Sequence, residues 1–298
     1  MHELLPAALR ARLKALRLVA RAASGAHGLG QHSSRSRGVG LEFAQYRAYE
    51  PGDEPRRVDW KLYARSDRYF VRESERDSPL TAWIVLDATA SMSQADVARA
   101  DYTKLDVAKS LAAGVIELAL RQGDRFAVVA LSDVGIDATP AGSGPRHRDR
   151  CIEALLRWRA QGALPDESAL RPLWERIPPA SLVLFIGDFF DDALLALAER
   201  LAAARREVLA IQLIGGDERT FPFSGGHRFV DMESGAELRL DAARAREDYL
   251  KRFAAARRQW SQRLSASGIR HATQFLDEPL DASLNRLFGI RGAEGAEA

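Results

Sequence analysis

Two places where an apolar run breaks into acid carry the first chemical signal. WIVL (83–86) runs into Asp87-Ala88-Thr89-Ala90-Ser91, and LVLFIG (182–187) runs into Asp188. Extended backbone alternates its side chains, so if the turn stays extended the carboxylate of Asp87 and the hydroxyls of Thr89 and Ser91, at i, i+2 and i+4, point the same way. Oxygen donors with few charges and no imidazole or thiolate suit a hard divalent cation, Mg2+ or Mn2+, that keeps some of its waters. A plainer reading stands beside this one: the two Asp side chains cap the helices that follow, and the hydroxyls satisfy turn amides.

Other chemistries find less support. The six histidines, His2, His27, His32, His147, His227 and His271, show no metal-ligand spacing, and no G-x-x-x-x-G-K-[ST] loop is present to hold a nucleotide. Cys151 is the only cysteine, which excludes disulfides and thiolate metal sites within the chain and fits a reducing compartment; the cytoplasm is the expected location. Beside Ile152 in a helical pattern, it reads as a packed thiol. Arg146-His147-Arg148-Asp149-Arg150 opens a helix and reads as a solvated face, not a phosphate contact. With 43 basic against 41 acidic residues, no global field favours nucleic acid.

The elements that must hold Asp87 and Asp188 follow from periodicity. Buried strands are predicted at 82–87, 125–132, 181–188 and 207–214, with helices at 104–122, 146–160, 168–177 and 193–205 between them. That alternation predicts an α/β fold, a mostly parallel sheet with helices on both faces, in which ligands bind beyond the carboxyl ends of the strands. A hairpin at 227–241 turning at Ser234-Gly235, a helix over 242–266, a strand near 271–276 and a helix near 281–288 complete it. Ahead of the sheet, residues 38–78 read as strands and loops with a turn at Pro51-Gly52-Asp53. Residues 7–23 read as an amphipathic helix, of a kind that more often packs on its own domain than on a membrane, and residues 1–40, with seven Arg/Lys against Glu3, as the expected tether or mobile element. No stretch reaches the roughly 18 apolar residues that span a bilayer, although peripheral membrane contact by the N-terminal helix stays open.

The strand-end constellation resembles the metal-ion-dependent adhesion site (MIDAS) of von Willebrand factor A domains, D-x-S-x-S with a later Thr and a later Asp. Asp87, Thr89 and Ser91 match the first three positions and Asp188 the last, while the loop GALPDES offers Ser168 for the Thr. The resemblance implies that the hydroxyls bind metal directly, that Asp87 and Asp188 act mostly through waters, and that an open position accepts a partner's carboxylate. A strand ending in Asp also resembles haloacid dehalogenase-type phosphohydrolases, but Thr89 stands where their second Asp would be.

The block GVGLEFAQYRAYEPGDEPRRVDWKLYARSDRYFVRESE is similar to the signature of the bacterial family catalogued as domain of unknown function 58. Gly38, Gly40, Glu42, Phe43, Arg47, Tyr49, Pro51, Gly52, Asp53, Arg56, Asp59, Trp60, Ala64 and Arg65 fall in place, and the resemblance extends over about residues 36–290. It implies a von Willebrand factor A-like (Rossmann-like) domain at 81–290. Before it lie residues 1–37, the amphipathic helix and flexible basic segment, and an extended module at 38–80; a tail follows at 291–298. It also implies a non-enzymatic, chaperone-like adaptor working with a MoxR-type AAA+ ATPase, which some relatives do from N-terminal membrane helices. Arg47, Tyr49, Asp53, Arg56, Asp59, Trp60 and Arg65 are then candidate docking residues, or a paired structural layer against the sheet. Should the metal site be vestigial, docking would fall to this block and to the basic N-terminal segment.

Overall fold

The computed structural model describes residues 4–19, 45–49, 58–73, 80–96 and 99–289. They form two compact units, one of residues 4–19 and 80–289, the other of 45–49 and 58–73. In chain order the elements begin with α1 (Ala7–Arg12), β1 (Gln45–Ala48), α2 (Trp60–Ser66) and β2 (Phe70–Glu73). Next come β3 (Thr81–Asp87), β4 (Ala95–Asp96), β5 (Arg99–Thr103), α3 (Lys104–Gln122), β6 (Arg125–Ser132), β7 (Gly135–Ala138), α4 (Pro145–Arg157) and α5 (Glu167–Arg176). The chain continues through β8 (Leu182–Gly187), α6 (Asp192–Ala203), β9 (Glu207–Ile214), α7 (Gly216–Thr220), β10 (Gly226–Val230), β11 (Glu237–Asp241), α8 (Ala242–Ala266), β12 (Arg270–Phe275) and α9 (Ala282–Phe288).

The larger unit is built on one sheet, in the order β12-β9-β8-β3-β6-β7, with every pair parallel except β6 with β7. This is the predicted α/β fold with one addition, the antiparallel edge strand β7, which turns back from β6 through Gly135 at φ 97°. Strand alternation divides the apolar residues between two cores. Ile84, Leu86, Val128 and Leu184 pack with α3, whereas Trp83, Val85, Val129 and Phe185 pack with α5, α6 and the end of α8. A strand apolar on both faces, such as β3, is stable only when helices cover both sides, which sets its central place. The helix α3 is bounded by its own residues. Thr103 and Asp106 form a capping box at its start, and Gly123, at φ 76°, closes its end.

The N-terminal segment departs from the expected long helix and tether. It is helical over α1, turns once as 3-10 helix at Leu13–Ala15, and continues from an extended Leu16 without regular structure to residue 19. Leu5, Leu9, Leu13, Leu16 and Leu18 are buried in the α3-side core. Leu18 is clamped at both backbone groups by Gln122, whose Oε1 accepts from Leu18 N at 2.7 Å while Nε2 donates to Leu18 O at 3.0 Å. Arg12 pairs with Asp281 at 2.9 Å. Five leucines with a satisfied backbone hold this piece on its own domain. The tether reading of the segment from residue 20 onward, and the tail at 291–298, lie outside the described residues.

In the smaller unit β1 and β2 form an antiparallel ribbon. The expectation of strands and loops alone is corrected by α2. Asp59 accepts from Lys61 N and Leu62 N, both at 3.0 Å, and nucleates a two-turn helix whose aromatic-rich sequence disguised it.

Candidate functional site

Parallel strands deliver their carboxyl ends to one edge, and neighbours β3 and β8 bring Asp87 and Asp188 there together. Gly187 makes the approach possible: a β-carbon at that position would lie 2.7 Å from Cβ of Asp87. Asp87 Oδ1 accepts from Thr89 N at 3.0 Å and from Thr89 Oγ1 at 2.7 Å. Thr89 Oγ1 and Ser91 Oγ lie 3.1 Å apart; since the Thr89 proton goes to Asp87, Ser91 donates to Thr89. The three side chains read from the D-x-T-x-S spacing therefore form one chain of oxygens. Their loop is pinned by Ala88 N to Leu131 O at 2.8 Å and Ala90 N to Gly162 O at 2.8 Å.

Asp188 Oδ1 accepts from Phe190 N at 3.2 Å, and Oδ2 from Lys104 Nζ at 3.4 Å. Lys104 is the functional residue that the sequence reading missed. Its side chain is fully buried, with Nζ 2.7 Å from Glu218 Oε1 and 5.0 Å from the Phe190 ring centroid. Glu218 is held in turn, its Oε2 accepting from Gly215 N at 2.7 Å. The ammonium thus faces two buried or nearly buried carboxylates, Asp188 and Glu218, while Asp87 feels the charge of Asp188. Burial, and then the charge of Asp188, pushes the Asp87 carboxyl up to about 7. Burial also raises Glu218, against the pull of Lys104.

Ser168 does not join this group. It lies exposed in the first turn of α5, beyond the loop that meets the site. The residues in that contact are Gln161, whose N donates to Ala88 O at 2.9 Å, and Gly162. Gly162 has φ 60°, and a β-carbon there would sit 2.1 Å from Asp133 Cγ, so that position has no room for a hydroxyl-bearing side chain. Among the described residues no three His, Cys, Asp or Glu side chains gather as a metal-binding set. The donors that fit a hard cation are the two carboxylates and two hydroxyls of Asp87, Thr89, Ser91 and Asp188, with a surplus of negative charge around them.

The candidate docking residues divide. Asp59 is the cap of α2; Trp60, Arg65 and Tyr49 are exposed; Arg47 lies in β1; Asp53 and Arg56 lie outside the described residues. Tyr63 and Tyr69 stack at 4.4 Å, with Trp60 edge-on to both, so that Trp60 (58% exposed) and Tyr69 (48%) present an aromatic surface. Elsewhere, Cys151 is buried, its thiol raised by that burial, and touches His147 Nε2 at 3.5 Å. Ser261 Oγ and His271 Nε2 lie 2.7 Å apart, a pair that sequence order hid. Arg146 and Arg150 are exposed on α4, and Arg148 pairs with Asp149 and Glu117. No described helix is long and apolar enough to cross a membrane.

The fold and strand-end cluster define an α/β domain with an oxygen-lined site at the edge of its parallel sheet. The chain belongs to the family described as Protein of unknown function DUF58, whose match spans residues 45–259. Uncharacterized protein Rv1480 of Mycobacterium tuberculosis and Uncharacterized protein Mb1516 of Mycobacterium bovis are each 30% identical over 237 residues, 76% of this chain and 72% of theirs. Among solved structures the chain is similar to the SpRpn10 VWA domain (TM-score 0.42, 10% identity, 74% of this chain and 100% of that one). It is also similar to the conserved hypothetical protein BatB from Bacteroides thetaiotaomicron (TM-score 0.37, 12% identity, 63% and 98%).

Proposed function

We propose that this protein is a non-catalytic interaction adaptor whose strand-end site takes a divalent cation and, through it, a carboxylate of a partner. The observation that carries the reading is the chain of oxygens Asp87, Thr89 and half-buried Ser91 beside Asp188, with the three others buried and Lys104 the cation in contact with Asp188 among the described residues. Thr89 and Ser91 would offer neutral oxygens, and the two Asp the charge. Bound Mg2+ or Mn2+ would supply an electrophilic centre for an acidic side chain of the partner. The resemblance of the signature block supports a MoxR-type AAA+ ATPase as that partner, in remodelling or assembly of a client, and the lone, buried Cys151 supports a reducing compartment. An adaptor suits the site better than a phosphohydrolase, because Thr89 occupies Asp87 Oδ1 with two hydrogen bonds and supplies no acid-base group.

Calorimetric titration with Mg2+ and Mn2+ tests this directly. Saturable binding by the wild type, abolished in a folded Asp87→Ala variant and retained in Ser168→Ala, is expected. A pull-down of the ATPase that is equally strong in chelator and in Mg2+ would refute the role of the metal. In that case the exposed Trp60 and Tyr69 surface, backed by half-buried Tyr63, favours a second reading, metal-free docking through the signature block, in which Trp60→Ala weakens capture.

A further inference from the structure

Lys104 is costly where it stands. It is the first residue of α3, at the positive end of the helix dipole, and fully buried. The chain otherwise uses Arg for 38 of its 43 basic residues, yet here it places a slim, strongly hydrated ammonium on a flexible stem. Its partners are arranged unequally: Glu218 Oε1 at 2.7 Å is the anchor, Asp188 Oδ2 at 3.4 Å the looser contact, and the Phe190 ring covers the group from outside. The anchor is itself fixed by Gly215 N, and the turn bearing it by Asp96 Oδ2, which accepts from Gly216 N at 2.6 Å. Asp188 is thus shared between the oxygen cluster and the ammonium.

We infer that Lys104 is a tethered cation that competes with the divalent ion for Asp188, so that its ammonium holds the site closed and sets its affinity. The inference rests on the cation-site reading of Asp87, Thr89, Ser91 and Asp188. A bound cation would draw on Asp188, and Lys104 would be left with Glu218. A unit positive charge one side chain away from a divalent ion repels it strongly at low effective dielectric, so removal of that charge tightens binding by about tenfold or more.

The test is Mn2+ titration of the full chain, by calorimetry and by the electron-spin signal of free Mn2+, for wild type, Lys104→Met and the double variant Lys104→Met/Glu218→Gln. The double variant removes one charge of each sign, which leaves the net charge of the site unchanged and Asp188 as the one acid freed from Lys104, so tighter binding in it reports the release of Asp188. It therefore serves if the single variant fails to fold. Tighter binding in either folded variant, including binding that the wild type lacks, supports the competitor. Wild-type binding that is equal or weaker in the folded variants overturns it while leaving the cation site standing. No binding in any folded protein overturns both.

Discussion

Replacing Asp87 by Asn isolates the electrostatic argument. Asn keeps an acceptor for Thr89 N and Thr89 Oγ1 but carries no charge to oppose Asp188. In the wild type the carboxyl rises from 3.8 to about 7 on folding. A group raised in this direction lends its full stabilisation below about pH 4 and loses it as pH climbs to about 7, because the unfolded chain gives up the proton first. Each pH unit well inside that window removes about 1.4 kcal/mol and less as pH nears the folded value, so the passage from about pH 5 to about pH 7 removes roughly 2 kcal/mol. Urea denaturation in chelator, at intervals over that range, should show wild-type stability falling relative to Asp87→Asn by that amount, with the slope m unchanged. Mg2+ at about 100 times its dissociation constant should then return about 2.7 kcal/mol to the wild type alone. Parallel stability curves for the two proteins would refute the claim that Asp87 is held against an uncompensated charge.

Two further predictions concern how the site and its domain are held. Gly187→Ala places a β-carbon 2.7 Å from Cβ of Asp87, so it should destabilise the fold by about 1–3 kcal/mol in urea denaturation and weaken cation binding in calorimetry. Leu13→Ala empties a seat in the α3-side core and should cost about 2–5 kcal/mol by the same denaturation assay, whereas a free tether would give no change.

The sheet was legible because its strands are apolar on both faces and its helices carry their own caps; α3, bounded by Thr103 and Gly123, falls where periodicity put it. The members of the oxygen cluster were legible because β3 and β8 are neighbours, but strand alternation does not reach all of them: Ala90–Ser93 is a 3-10 turn, and it is this turn that brings Ser91 Oγ to Thr89 Oγ1. Lys104 and Glu218 were not, since a lysine at a helix start and a glutamate 114 residues later become neighbours only through the order of the strands. Ser168 misled because hydroxyl chemistry was weighed without the backbone: the chain meets the site at Gln161 and Gly162, where packing against Asp133 demands glycine. The edge strand β7 has too few apolar residues to announce itself, and α2 depends on one capping Asp amid a β-like run of aromatics.

The seat of Leu13 ties distant parts of the chain. Its methyl groups lie over Gly114, where Leu284 of α9 also packs, and Arg12 reaches Asp281 across 269 residues of sequence. Contacts so far apart in sequence close a long loop, whose entropic cost is met only when the surfaces of α3 and α9 are already in place. Until the segment docks, five leucines of residues 5–18 stay uncovered, a display of apolar surface that chaperones and proteases bind.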